Sequence, residues 1–210
     1  MGMVALVALG GTLAVTACSA SRPKVTGGAA AAAASGKVRG VVALTGDSLT
    51  VGQLGSLPPG AEARGIHLLV AARVGRTTVE GAAALRGIYD HPDLVVVALG
   101  TNDATADLTA TKADDLIETA MAVVDSDVPV LWLSLYRDQQ TPEGSAADRF
   151  NLSLRRATSR HPNLAIADWR AFVVNHLDVM APDGVHLTDA GYAARTTWMV
   201  GEIAARLPAA

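Results

Sequence analysis

The sequence predicts a three-layer α/β/α sandwich around a five-stranded parallel sheet, and three observations point there. Short apolar runs recur between residues 41 and 169, the clearest of them without alternation, as in strands buried on both faces. Between them lie segments with apolar residues at three- and four-residue steps, as crossover helices require. The runs give way to polar, often glycine-bearing segments, at the carboxyl ends where a parallel sheet binds ligands.

Val41-Val42-Ala43-Leu44-Thr45, ended by Gly46, is the first expected strand, and Ile66 to Ala72 the second. Leu94 to Leu99, ended by Gly100, is the third. Val128 to Leu135, with Pro129 near its start, and Leu164 to Trp169 complete the set. Ala82, Leu85 and Tyr89 share one helical face, and Ala113, Leu116, Ile117, Ala120 and Val124 another. Ala147, Phe150, Leu154 and Ala157 mark a third helix. Ala194, Trp198, Gly201 and Ala205 mark the last, with Thr188 placed to cap it. No repeat and no second domain interrupt residues 41–210, which form one expected domain.

The amino-terminal 40 residues read differently. No charged side chain precedes Arg22, and Met3 to Ala17 is an apolar run of 15 residues. That is short of the roughly 20 needed to span a bilayer, and fits the hydrophobic region of a signal peptide. Val15-Thr16-Ala17-Cys18 resembles the bacterial lipobox, which implies cleavage after Ala17 and lipidation of Cys18. The expectation is a signal peptide over 1–17, then a lipidation site and flexible tether over 18–40, giving an exported protein held at a membrane. No Lys or Arg precedes the apolar stretch, a departure from type. Plain cleaved secretion and an apolar arm with a chance cysteine are the alternatives. As a coil, Ser19 to Gly40 would reach roughly 25 Å.

Composition excludes several classes. A net charge of −3 leaves no basic surplus for phosphates, so no nucleic-acid partner is expected. The single cysteine, Cys18, excludes an internal disulfide framework, and no metal-ligand spacing occurs. Half of the residues are apolar, too many for a disordered chain.

The loops after the strands carry the chemistry. Ser48 follows a strand and Gly46, so a tight turn can expose its hydroxyl at the start of a helix; that hydroxyl needs a base to become a nucleophile. Of five histidines, His186 is the best base. His91 and His161 precede prolines and read as exposed turn residues, whereas His67 and His176 sit in apolar surroundings and read as packed structural ones. Asp183, three residues before His186 with Gly184 between, can receive the imidazole N–H and fix its tautomer. Asp47 and Asp103 read as loop-fixing residues, and Asp114-Asp115 as charge favourable to a helix dipole. Gly46-Asp47-Ser48-Leu49-Thr50 lacks the second glycine of the G-x-S-x-G elbow.

Gly46-Asp47-Ser48-Leu49, a glycine after the second strand, Gly100-Thr101-Asn102-Asp103 and Asp183-Gly184-Val185-His186 resemble, in order, the sequence blocks of the SGNH (GDSL-type) hydrolases. The first block alone recurs by chance; the ordered set is specific and covers most of residues 41–207. The resemblance implies a flavodoxin-like sandwich and a serine hydrolase without metal or cofactor. It implies Ser48, His186 and Asp183 as the triad, with the Ser48 N–H, the Gly75 N–H and the Asn102 amide as oxyanion donors. Val74-Gly75-Arg76-Thr77 matches its block only by the glycine, and a turn glycine with φ > 0 is the alternative there.

The resulting expectation is an esterase for short acyl groups such as acetyl, with acylated envelope glycans as substrates. No inserted segment is long enough for a lid, and Tyr136 and Arg137 are rim candidates for recognition. An O-acyltransferase or a lipase-like or lysophospholipase activity would use the same triad. A non-catalytic envelope binding module is the alternative from another class.

Overall fold

The computed structural model describes residues 38–209, so the signal segment, Cys18 and nearly all of the tether lie outside the described residues. In chain order the elements are β1 (Gly40–Gly46), α1 (Ser48–Val51), α2 (Leu57–Glu62), β2 (Ile66–Ala72), α3 (Thr78–Arg86), β3 (Leu94–Ala98) and α4 (Ala110–Met121). They continue with β4 (Val130–Leu133), α5 (Pro142–Ala157), β5 (Leu164–Ala167), α6 (Trp169–Val174), a 3-10 turn (Leu177–Val179) and α7 (Asp189–Ala204). The five strands pair in parallel in the order β2-β1-β3-β4-β5. This is the expected three-layer sandwich.

Strand periodicity divides the core in two. Ala43, Val95, Val97, Val130 and Trp132 meet Ala82, Leu85, Ile117 and Phe150 on one face. Val42, Leu44, Val96, Leu131 and Leu133 meet Leu57, Val173, Met199 and Ile203 on the other. Every residue of β3 is buried, which is why its sequence shows no alternation. The Trp132 indole N–H, deep in the core, donates to the Leu99 carbonyl at 3.0 Å, so this buried donor is satisfied. Threonine caps four helices: Thr77, Thr109, Thr141 and Thr188 each accept a first-turn backbone N–H, from α3, α4, α5 and α7 respectively. Each cap is worth about 1 kcal/mol.

The strand order sets the site. After β1 the chain goes to one side, to β2, and it then returns past β1 to β3. The crevice beyond the carboxyl ends of β1 and β3 is therefore the topological switch point. Gly46 pairs with Ala98 in register, so the loops carrying Ser48 and Asn102 start side by side.

Several expectations are corrected. The fourth and fifth strands are shorter than predicted, ending at Leu133 and Ala167; the fifth ends there because Asp168 caps α6 and draws Trp169 into it. Gly87 ends α3 before Tyr89, whose hydroxyl instead meets Asp125. Asp114 lies beyond the first turn of α4 and pairs with Arg156 of α5 and with Arg160 just after it, rather than serving the helix dipole. His67 is exposed, since β2 is an edge strand. His176 is also exposed; it stacks on Phe172, and its Nδ1 meets the Phe172 carbonyl at 2.8 Å. His91 is exposed as expected, but His161 is half-buried against Glu118.

Candidate active site

Ser48 occupies the first position of α1, where the strand-to-helix turn lifts it above the sheet edge. Gly46 makes this turn possible, because a Cβ there would stand 2.1 Å from the Thr50 hydroxyl oxygen. Asp47 caps α1 by accepting the Leu49 N–H at 3.0 Å, as its reading as a loop-fixing residue anticipated.

The loop before α7 brings the other two side chains. His186 Nε2 lies 3.1 Å from Ser48 Oγ, and His186 Nδ1 lies 2.7 Å from Asp183 Oδ2. The other carboxylate oxygen, Asp183 Oδ1, accepts the N–H groups of Val185 at 3.0 Å and His186 at 2.8 Å. The His186 ring, followed by these backbone N–H groups, holds the Asp183 carboxyl down at about 2. An ionised carboxylate only accepts, so Nδ1 must carry the proton and Nε2 presents its lone pair to the serine hydroxyl. The imidazole is 44% exposed, so water reaches it.

The sequence-expected donors lie in the neighbouring loops. Among the described residues, neither the Ser48 N–H nor the Gly75 N–H has a protein acceptor. Gly75 has φ +71°, the left-handed conformation that a turn glycine supplies, so it meets the geometric alternative as well as keeping a free donor. Asn102 donates through Nδ2 to the Arg76 carbonyl at 3.0 Å, which locks its side chain onto the loop containing Gly75. An amide carries two N–H groups, so one remains for a ligand. Asp103 acts at longer range than expected. It accepts from Thr78 N at 2.8 Å and Thr78 Oγ1 at 2.7 Å, tying the third loop to α3. Burial raises its carboxyl, against the pull of those two bonds.

The rim candidates both lie on the loop that leaves β4, and each is partly buried. Arg137 Nη1 donates to the Thr101 carbonyl at 2.8 Å. Tyr136 is half-buried and packs on the core beside α6 and α7. Beside Asn102 and Asp103 a groove of about 410 Å³ opens along α4, lined by Val79, Leu108, Lys112 and Leu116.

Sequence reading missed the floor of the site. Arg195 is 2% exposed, lies over the Trp169 ring and bonds the Gln53 side-chain oxygen. Burial lowers its pKa to about 10, with Asp47 opposing that shift. Asn151, 1% exposed, holds both the N–H (2.8 Å) and the carbonyl (2.9 Å) of Leu135, where the chain leaves β4. A signal for both was present, since each interrupts an apolar helix stripe: Asn151 between Ala147 and Leu154, Arg195 before Met199.

Comparison with known proteins agrees with this arrangement. Residues 44–194 match the model of the GDSL-like lipase/acylhydrolase family. The lipase/acylhydrolase of Enterococcus faecalis is 26% identical, with 80% of this chain and 97% of that chain covered and a TM-score of 0.67. The C-terminal catalytic domain of the Streptococcus pneumoniae peptidoglycan O-acetyltransferase A is 20% identical, with 82% and 98% covered and a TM-score of 0.62. An acetylxylan esterase from Geobacillus stearothermophilus is 17% identical, with 80% and 95% covered and a TM-score of 0.61. These last two share the fold. No curated protein matches the sequence. A serine aligned with a histidine and a carboxylate at the β1–β3 switch point, on a chain that matches this family over residues 44–194, makes the protein a carboxylic ester hydrolase of the GDSL-like lipase/acylhydrolase (SGNH) family.

Proposed function

We propose that the protein is a serine esterase for short acyl esters, O-acetyl groups above all, working through an acyl-enzyme on Ser48. The observation that carries this reading is the open line from Ser48 through His186 to Asp183. Ser48 Oγ attacks the ester carbonyl while His186 Nε2 takes its proton. The carbonyl oxygen becomes an anion facing the Ser48 N–H, the Gly75 N–H and the Asn102 amide. Collapse breaks the ester C–O bond, and the alcohol leaves with the proton from His186. Water, deprotonated by the same imidazole, then attacks the acyl-enzyme and releases the acid.

Solvent access at His186 favours water over an acceptor sugar, and so hydrolysis over transfer. Among solved structures of the same fold stand an acetylxylan esterase and a peptidoglycan O-acetyltransferase domain, which supports acylated glycans as the substrate class. The groove at Asn102 favours a second reading, in which Val79, Leu108 and Leu116 receive a longer acyl chain. Nitrophenyl esters of increasing chain length separate the two. Acetate as the best substrate supports the first, and a rise in kcat/KM from acetate to octanoate supports the second. In that assay Ser48→Ala should abolish turnover with the fold intact; full turnover in the variant would overturn the mechanism.

The lipobox-like Val15–Cys18 segment supports an exported protein anchored through Cys18 and facing outside the cytoplasm. Mass spectrometry of the protein from native membranes should find diacylglycerol on an amino-terminal Cys18, and a retained Met1 would refute this.

A further inference from the structure

The loop between β4 and α5 touches both halves of the catalytic machinery without belonging to either. From one side, Arg137 Nη1 donates to the carbonyl of Thr101, the residue before Asn102. From the other, the Asp138 N–H donates to the carbonyl of Gly184 at 3.1 Å, inside the turn that carries Asp183 and His186. The contact with that turn is close, since a Cβ on Gly184 would lie 2.8 Å from Asp138 Cβ.

The loop is itself held at several points. Asn151 clamps Leu135 at its base. The Thr141 N–H and hydroxyl both donate to the Asp138 carbonyl, at 3.1 and 2.7 Å. Gln139 is held between the Arg137 carbonyl, which accepts from its Nε2 at 2.8 Å, and Arg170, whose Nη2 donates to its Oε1 at 3.1 Å. Arg170 is anchored in turn on Asp148 at 2.7 Å. A segment fixed at this many points transmits displacement rather than absorbing it.

We propose that this loop is a brace that sets the spacing between the Asn102 turn and the Asp183–His186 turn, with Arg137 as its positioning residue. The role rests on the proposed mechanism. It differs from substrate recognition, because the Arg137 guanidinium is directed to a backbone carbonyl. Without that bond the Asn102 turn keeps its ties to Arg76 and α3 but loses its link through the loop to the Asp183–His186 turn. Displacements of about 1 Å in such sites cost on the order of 100-fold in rate.

The test compares Arg137→Met and Arg137→Lys with wild type and Ser48→Ala. Arg137→Met should lower kcat on p-nitrophenyl acetate by roughly 10- to 100-fold with KM unchanged. Arg137→Lys, which keeps a donor for Thr101, should recover most of the rate. In hydrogen exchange, Arg137→Met should deprotect residues 100–104 and 183–187 together while β3 keeps its protection. Exchange unchanged at 183–187 would overturn the brace. So would a raised KM at constant kcat, which would make Arg137 a substrate contact. Turnover surviving in Ser48→Ala would sink the serine mechanism instead, and the exchange result would still judge the brace.

Discussion

The floor and the rim of the site each hold a carboxylate, and the two are treated in opposite ways. On the floor, Asp47 is 1% exposed, has one oxygen without a protein partner among the described residues, and is pushed upward by burial. The Arg195 charge, the Leu49 N–H and the Thr101 hydroxyl pull it back only in part. On the rim, the Asp183 side chain is 52% exposed, yet the hydrogen bond from His186 and the backbone N–H groups hold it at about 2. The carboxylate aligned with the proposed base is thus governed by hydrogen bonds, and the one beneath the nucleophile by desolvation. Burial marks the scaffold here, and directed donors mark the chemistry.

Three substitutions or titrations would break or sharpen that contrast. The largest effect belongs to the rim. Asp183→Asn replaces an acceptor with an amide that can donate to Nδ1, favouring the tautomer that puts the proton on Nε2. It should lower kcat by about 10³- to 10⁴-fold. The melting temperature should stay within about 3 °C, because the side chain is half in solvent. Steady-state kinetics and a thermal melt on the same sample check both halves, and retained activity would deny Asp183 its orienting role.

The floor should behave in reverse. Arg195→Leu removes the positive charge facing Asp47 and the partner of Gln53, and should cost roughly 2–4 kcal/mol in urea unfolding. The folded remainder should still turn over substrate. An unchanged urea midpoint would show that Asp47 needs no counter-charge.

The smallest effect is the pH dependence of stability, where the two carboxylates have opposite signs. Asp183 has a folded pKa of about 2 against an ordinary 3.8, so its stabilisation is full above 3.8 and is lost as pH falls through about 2. Asp47 holds its proton more tightly when folded, so its contribution declines as pH rises above 3.8. The stability gap between wild type and Asp183→Asn should therefore open between about pH 2 and pH 4 and stay level above. A gap that is flat across that range would mean His186 does not hold the carboxylate in solution.

The same contrast explains what could be read from the sequence. The rim was legible because its residues sit in short blocks next to strand ends, where the local order Gly46-Asp47-Ser48 or Asp183-Gly184-Val185-His186 carries the geometry. The apolar runs of β1 and β3 were legible because burial on both faces leaves no alternation. The polar interruptions of the helix stripes marked the floor residues, but their partners and those of the brace are remote in sequence: Arg195 meets Gln53, and Arg137 meets Thr101. The helix α2 was missed for a local reason. Leu57-Pro58-Pro59-Gly60-Ala61-Glu62 is too short to show a period, and its prolines suit only a helix start. The two misread histidines had apolar neighbours in sequence, but β2 is an edge strand and His176 lies beyond the end of α6.

The most direct test of the central claim is covalent trapping with a small alkyl phosphonate ester, followed by peptide mass mapping. A single adduct on Ser48, lost in Ser48→Ala and slowed in His186→Ala, is the result this account predicts. An adduct on another residue, or undiminished labelling of Ser48→Ala, would contradict it.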